Sequence, residues 1–138
     1  MPRLSPSLLA ALTDVDGVDH CAWAALAEED GEMVGVGIAR FVRLADQPEA
    51  ADAAVTVIDA YQGQGIGSRL LDALVPEALD RGITRFEGVL LAENIPSRRM
   101  LERAGARLER DGGSVLRFTL DLPARARELA GTGNDLPG

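Results

Sequence analysis

The fold is decided by residues 55–71, which read Val55-Thr-Val-Ile-Asp-Ala-Tyr-Gln-Gly-Gln-Gly-Ile-Gly-Ser-Arg-Leu-Leu71. The β-branched residues at the start suit a buried strand, because their side chains are already stiff at χ1. The glycines at 63, 65 and 67 let the backbone turn sharply, and the leucines that follow begin an amphipathic helix. Unpaired N–H groups and the positive end of the helix dipole would then face one point. The stretch predicts a turn that cradles a phosphate group.

Two well-known nucleotide loops fit this turn poorly. The P-loop requires Gly-Lys-Ser/Thr, and the chain contains no lysine. The dinucleotide fingerprint requires G-x-G-x-x-G, whereas the glycines here are evenly spaced. Glu87 lies at about the right distance for a ribose-binding acid, but it falls inside the next predicted strand rather than at its end. A dinucleotide-binding module stays open as an alternative.

The pattern Gln62-x-x-Gly65-x-Gly67 after a Val/Ile strand resembles the coenzyme A loop of the GNAT superfamily of acetyl-CoA-dependent N-acetyltransferases. The signature of that loop is Q/R-x-x-G-x-G/A. Residues 91–105 are similar to a second signature of the family, in which an Asn and a small residue three positions later precede a short helix that ends in Gly. Two motifs in the family's order, separated by one helix and one strand, are more specific than either alone.

Composition bounds the class of protein. With 138 residues the chain is long enough for one domain with its own core. Its net charge of −8 argues against non-specific nucleic-acid binding, and no stretch is apolar for long enough to span a bilayer. The single Cys21 excludes an internal disulfide and predicts a cytoplasmic protein. His20 has no second metal ligand nearby, so no metal site is predicted.

The resemblance implies an α/β (α+β) GNAT fold, in which a mixed, mostly antiparallel sheet is flanked by helices. We expect the domain to cover residues 1–122 and a C-terminal tail, a short exposed helix followed by disordered residues, to cover 123–138. The family usually opens with a strand before its first helix, and that strand is apparently missing here. The exposed sheet edge that would result predicts a homodimer. The expected elements are helices at 5–13, 66–81 and 95–105 and strands at 21–27, 33–44, 52–58, 83–91, 106–110 and 114–122.

The resemblance also assigns the residues that bind acetyl-CoA. The backbone of Val57, Ile58 and Asp59 would line the pantetheine arm, and a main-chain N–H near Val57 would polarise the thioester carbonyl. The loop and the second motif would contact the rest of the cofactor. Arg69, Arg98 and Arg103 are further candidates for its phosphate groups. The expected cofactor-binding residues are Val57, Ile58, Asp59, Gln62, Gly63, Gln64, Gly65, Ile66, Gly67, Ser68, Asn94, Ser97 and Arg99.

The sequence indicates the general base and the general acid of acetyl transfer less clearly than the cofactor-binding residues. Asp52 lies ten residues before Gln62, where related sequences often carry Glu, and we expect it to accept the proton of the incoming amine directly or through water. Glu49 and Glu87 are the reserve candidates. The family often carries a Tyr as general acid seven residues after the motif Asn, but Leu101 occupies that position here.

Taken together, the sequence predicts an N-acetyltransferase that moves an acetyl group from acetyl-CoA to a primary amine by direct attack in a ternary complex. The chain looks most like the bacterial protein acetyltransferase branch of the family, so the amine is either a protein lysine or a small molecule. The alternative is a non-catalytic acyl-CoA-binding module, which is motivated by Leu101 and by Asp52 in place of Glu.

Overall fold

A computed structural model describes residues 19–134, which form one mixed sheet with helices packed against it. The strands lie in the order β1-β2-β3-β4-β6-β5. In chain order the elements are β1 (His20–Glu29), β2 (Glu32–Leu44), β3 (Gln47–Val57), a single 3-10 turn (Asp59–Tyr61), α1 (Ile66–Asp80), β4 (Arg85–Leu91), α2 (Ile95–Arg103), β5 (Arg107–Arg110), β6 (Val115–Asp121) and α3 (Leu122–Asn134).

The predicted fold class is confirmed. Within the described sheet only β3 and β4 pair in parallel, and every other neighbouring pair is antiparallel. The parallel connection carries α1, as a crossover between parallel strands requires. The predicted helix at 5–13 and the apparently missing first strand concern residues 1–18, which lie outside the described residues.

Strand β3 begins earlier than the sequence predicted. The connection expected at 46–51 is a two-residue turn, after which Gln47 already pairs with Leu44. Side-chain hydrogen bonds hold the start of β3 in the sheet. The guanidinium of Arg43 donates to the carbonyl oxygen of Pro48, and that of Arg85 donates to the side chain of Gln47.

The C-terminal helix differs from the predicted short, exposed helix. It extends from Leu122 to Asn134, and its first side chain is fully buried. Two guanidinium nitrogens of Arg125 donate hydrogen bonds to the two carboxylate oxygens of Asp72 on α1, at 3.0 and 3.1 Å. This contact and the burial of Leu122 correct the expectation of an exposed helix. The division into a domain and a tail at residue 122 stays a prediction.

Helix α1 packs against β1, β2 and β3 and supplies much of the core. Leu70, Leu71 and Leu74 are fully or almost fully buried, as the spacing of apolar residues predicted. Gly37 on β2 makes room for this helix, because a Cβ there would lie 3.0 Å from Leu70 Cδ1. The helix continues through Pro76. Across residues 19–134 no helix is long and apolar enough to cross a membrane.

The two parallel strands pair over only part of their length. Residues 50–52 of β3 are in register with residues 85–87 of β4, and no further pairing joins the two strands. The last close approach lies at Gly88, where a Cβ would meet Phe118 Cε2 at 2.3 Å and the Ala53 carbonyl oxygen at 2.9 Å. Beyond this point β3 and β4 diverge, so a cleft opens between their C-terminal ends.

We predict that Gly88→Ala lowers the free energy of unfolding by about 1–3 kcal/mol, because the added methyl group overlaps the Phe118 ring and β3 backbone at once. Chemical denaturation measures this change. Gly35→Ala is the matched control, since nothing lies within 4 Å of its Cβ and the residue is on a strand of the same sheet. Equal stability of the two variants would contradict the described packing of Phe118.

Candidate functional site

A cavity of about 1010 Å³ lies beside the end of β3, between the first turns of α1 and α2. Both sequence motifs contribute to its wall, so residues far apart in the chain share one site. The lining residues are Val55, Thr56, Val57, Tyr61, Gln62, Gly63, Gly65, Ile66, Gly67, Ser68, Asn94, Ile95, Pro96, Ser97, Arg99, Met100 and Arg103.

The N-terminus of α1 presents unpaired donors to the cavity. Its N-cap is Gly65, which has a left-handed conformation with φ of 82° and offers no side chain to cap the helix. The N–H groups of Ile66, Gly67 and Ser68 have no partner within the helix, because an α-helix leaves its first N–H groups unsatisfied. Gly63 is also left-handed, with φ of 81°. This arrangement of backbone donors at the loop and helix start is one that can accept an anion.

Helix α2 differs, because its N-terminus is already capped. The side-chain oxygen of Asn94 accepts a hydrogen bond from the Ser97 N–H at 3.3 Å, and Pro96 in the first turn has no N–H. The Arg98 N–H bonds to the Asn94 carbonyl at 3.0 Å. Helix α2 can therefore contribute side chains to the site, while α1 contributes main-chain donors.

The third glycine of the loop serves helix packing. A Cβ on Gly67 would lie 2.9 Å from Met100 Sδ and 3.6 Å from side-chain carbons of Val55 and Val57. The absence of a side chain lets the two helix starts approach each other over the end of β3. This packing supplies the apolar part of the wall next to the anion site.

The end of β3 offers a further main-chain donor. The Ile58 N–H bonds to the Val36 carbonyl at 2.9 Å, and Val57 stands opposite Gly37 in the ladder. Hydrogen-bonded and non-hydrogen-bonded pairs alternate along an antiparallel ladder, so the N–H and C=O of Val57 point away from β2. They face the side from which β4 has diverged. The Val57 carbonyl accepts from Gln62 Nε2 at 3.0 Å, which leaves the Val57 N–H directed to the cleft.

The arginines near the two motifs have different roles. Arg99 and Arg103 lie one turn apart on α2, are exposed and line the cavity. Neither belongs to the ion pairs formed within residues 19–134. Arg98 instead donates to the Ala92 carbonyl at 3.1 Å and braces the turn before α2. Arg69 is exposed outside the cavity lining.

Asp52 lies on the sheet face opposite the helices. It is absent from the cavity lining and precedes the nearest lining strand residue, Val55, by three positions, or about 10 Å along the strand. Loss of hydration raises the pKa of Asp52 above its usual 3.8; the charge of Arg40 opposes the rise, and that of Glu87 adds to it. Glu87 is the register partner of Asp52 and accepts from Arg85 Nε at 2.7 Å.

The site has no well-placed general acid among the described residues. Leu101, at the position of the family's Tyr, is buried in the core. Tyr61 lines the cavity, but its phenol donates to the carboxylate of Glu29, and this hydrogen bond raises the pKa of Tyr61 to about 12. Such a phenol is a poor proton donor near neutral pH. Residues 19–134 also contain no group of three or more His, Cys, Asp or Glu side chains that could hold a metal ion.

The structure brings most of the predicted cofactor-binding residues together. Ile58, Asp59 and Gln64 lie beside the cavity without lining it, while the other ten line it. Sequence reasoning missed the apolar side of the cavity, whose residues looked like ordinary core or helix-start positions. Arg103, a further candidate for the phosphate groups, does line the cavity, one helical turn after Arg99. The lining residues that sequence reasoning did not assign to the cofactor are Val55, Thr56, Tyr61, Ile95, Pro96 and Met100.

Comparison with known proteins agrees with this geometry. The Acetyltransferase (GNAT) family matches residues 4–106, which is well over half of the chain. The chain therefore belongs to the GNAT family of acetyltransferases, as its two motifs indicated.

Relatives place it near the bacterial Pat enzymes. Acetyltransferase Pat of Mycolicibacterium smegmatis is 37% identical over 117 residues, which are 85% of this chain and 34% of Pat. The cAMP-binding acyltransferase from Mycobacterium smegmatis has a TM-score of 0.67 at 37% identity, over 79% of this chain and 33% of that one. The GNAT domain of S. lividans PAT has a TM-score of 0.67 at 31% identity, over 79% and 64%. The chain spans about half or less of the curated relatives it matches.

Proposed function

We propose that this protein transfers an acetyl group from acetyl-CoA to a primary amine. The observation that carries the proposal is a single cavity onto which the uncapped start of α1 and the cleft beside Val57 both open. The first feature suits the pyrophosphate of a coenzyme A thioester, and the second suits its carbonyl group. Membership of the GNAT family, whose members generally use acetyl-CoA, supports the same choice of co-substrate.

The charges of the site match this co-substrate despite the acidic chain. The N–H groups of residues 63–68 and the helix dipole would hold the pyrophosphate. Arg99 and Arg103 add two exposed positive charges to the same cavity, which offsets locally the net charge of −8. The pantetheine arm would run along residues 55–57 towards the cleft, with Asn94 and Ser97 on its other side.

The chemistry would be direct attack in a ternary complex. The amine nitrogen bonds to the acetyl carbon as the carbon–sulfur bond breaks, and the Val57 N–H stabilises the charge that develops on the carbonyl oxygen. Asp52 takes the surplus amine proton through a chain of waters, since five strand positions, or about 17 Å of strand, separate it from Val57. The thiolate takes a proton from water, because Leu101 and the hydrogen-bonded Tyr61 provide no acid.

The acceptor would approach from the open face of the sheet, where Asp52 lies. Exposed aliphatic side chains lie on β2 beside this part of β3, namely Val42, the register partner of Asp52, and Ile38 further along the strand. A protein lysine beside an apolar surface or a small amine with an aliphatic body would suit this face. The likeness to Pat supports the protein acceptor.

The cellular setting stays a prediction. A cytoplasmic location rests on Cys21, the one cysteine of the sequence, which is buried. The homodimer rests on β1, whose outer side is unpaired within the described sheet.

Two alternative functions make different predictions. A non-catalytic module would bind acetyl-CoA, yet no amine in a panel of lysine peptides and small primary amines would release CoA. A dinucleotide-binding module would bind NAD and not acetyl-CoA. The dinucleotide reading has less support, because Glu87 lies inside β4 and is held by Arg85.

We predict that Gly65→Glu weakens acetyl-CoA binding about 100-fold in calorimetric titration. The side chain is strained at a φ of 82° and adds a negative charge beside the phosphate groups, and about 3 kcal/mol corresponds to that factor. The matched control is Gly112→Glu, which has a φ of 86° and equally free space around its Cβ but lies in the β5–β6 turn. We expect the control to bind like wild type. Unchanged binding by Gly65→Glu, or wild-type binding of NAD alone, would refute the proposed site.

We predict that Asp52→Asn lowers kcat by ~10²-fold or more with little change in acetyl-CoA affinity, because it removes the proton acceptor. In wild type the acidic limb of the pH–rate profile should lie above 3.8, since the pKa is raised and activity is lost as pH falls through it. Glu87→Gln should move that limb to lower pH, and Arg40→Gln to higher pH. Full activity of Asp52→Asn would assign the base to another residue, with Glu49→Gln and Glu87→Gln as the next variants.

A further inference from the structure

The side chain of Gln62 has both of its donors engaged within the protein. Gln62 Nε2 donates to the Val57 carbonyl at 3.0 Å and to Asp59 Oδ1 at 3.3 Å. Both neighbours are acceptors, so the NH₂ end of the amide must face them. An NH₂ group has two hydrogens, and these contacts use both. Only the carbonyl end of Gln62 is left, and a carbonyl oxygen does not bind an anionic phosphate group.

These bonds fix one peptide plane at the end of β3. The N–H side of the Val57–Ile58 peptide is held by the Val36 carbonyl at 2.9 Å, and its C=O side is held by Gln62. The short 3-10 turn brings Gln62 back to the strand, with the Tyr61 N–H bonded to the Ile58 carbonyl at 2.9 Å. The strand end is therefore fastened to β2 on one side and to the phosphate loop on the other.

The hydrogen bonds that hold the Val57–Ile58 peptide matter because the Val57 N–H, the proposed donor to the thioester, lies next to this peptide. The Val57 N–H and C=O point to the same side of the strand, towards the cleft. An unpaired carbonyl there would present its negative end close to the donor that polarises the thioester. By donating to this carbonyl, Gln62 screens its dipole and fixes the Val57–Ile58 peptide, which adjoins the peptide that carries the Val57 N–H.

We propose that Gln62 is a positioning residue, which orients the end of β3 for acetyl transfer rather than binding the phosphate groups of the co-substrate. This inference rests on the proposed function for its kinetic consequence. Its structural part, the fastening of the Val57–Ile58 peptide, concerns the free protein and can be measured without any ligand.

The test compares Gln62→Leu, which cannot donate, with Gln62→Arg, which can. Arg is the other residue of the signature Q/R-x-x-G-x-G/A, and its guanidinium can donate to both the Val57 carbonyl and Asp59. Glu102→Leu is the matched control, because it places a leucine at an exposed position of α2 outside the cavity lining. For each variant we would measure Kd for acetyl-CoA, kcat with a primary amine from the panel that wild type acetylates, and hydrogen exchange of the Ile58 amide in the free protein.

We expect Gln62→Leu to lower kcat about tenfold or more while Kd for acetyl-CoA changes less than about threefold, because misplacing a catalytic donor costs rate rather than affinity. Exchange of the Ile58 amide should become about tenfold faster, since the strand end is released. Gln62→Arg should keep kcat and the exchange rate of the Ile58 amide close to their wild-type values, and Glu102→Leu should match wild type.

Three results would overturn the proposal. A rise in Kd with kcat unchanged would make Gln62 a ligand of the co-substrate. Unchanged kcat and Kd in Gln62→Leu would show that Gln62 has no role in the reaction. Unchanged exchange of the Ile58 amide would show that Gln62 does not hold the end of β3. If the wild-type protein neither binds nor uses acetyl-CoA, the proposed function fails by itself, while Ile58 exchange still decides whether Gln62 holds the strand.

Discussion

The divergence of β3 and β4 beyond the Asp52–Glu87 pair is the constraint on which the rest of the site depends. Parallel strands normally satisfy each other's backbone groups, and here they stop doing so after three register pairs. At Gly88, the next residue of β4, the strands are still close, because a Cβ there would lie 2.9 Å from the Ala53 carbonyl oxygen. The result is a strand end whose N–H and C=O groups face a cleft instead of a neighbour.

The two helices that follow these strands complete the site in different ways. Helix α1 begins at a left-handed glycine and leaves its first donors free, whereas α2 begins at a capping Asn and offers arginine side chains. Gly67 lets the two helix starts meet over the cleft. One cavity thus combines a main-chain anion site, a pair of positive charges and a main-chain donor at the strand end, which is the combination that a coenzyme A thioester requires.

Local signals made much of this predictable from sequence. The start of α1 and the start of α2 follow from short-range chemistry at Gly65 and Asn94, and the sheet class follows from strand and helix order. Contacts between distant residues were not predictable. The ion pair between Arg125 and Asp72 spans 53 positions and packs the C-terminal helix on α1, and the Phe118 ring of β6 packs on Gly88 of β4. The role of Arg98 in bracing a turn likewise depends on a carbonyl that sequence does not place.

The most direct test of the account is a crystal structure of the protein with bound acetyl-CoA. We predict that the pyrophosphate lies on the N–H groups of residues 63–68 and that the thioester carbonyl oxygen accepts a hydrogen bond from the Val57 N–H, at about 2.9 Å. Acetyl-CoA bound with its thioester away from the cleft between β3 and β4 would contradict the central claim that the parting of these strands creates the catalytic donor.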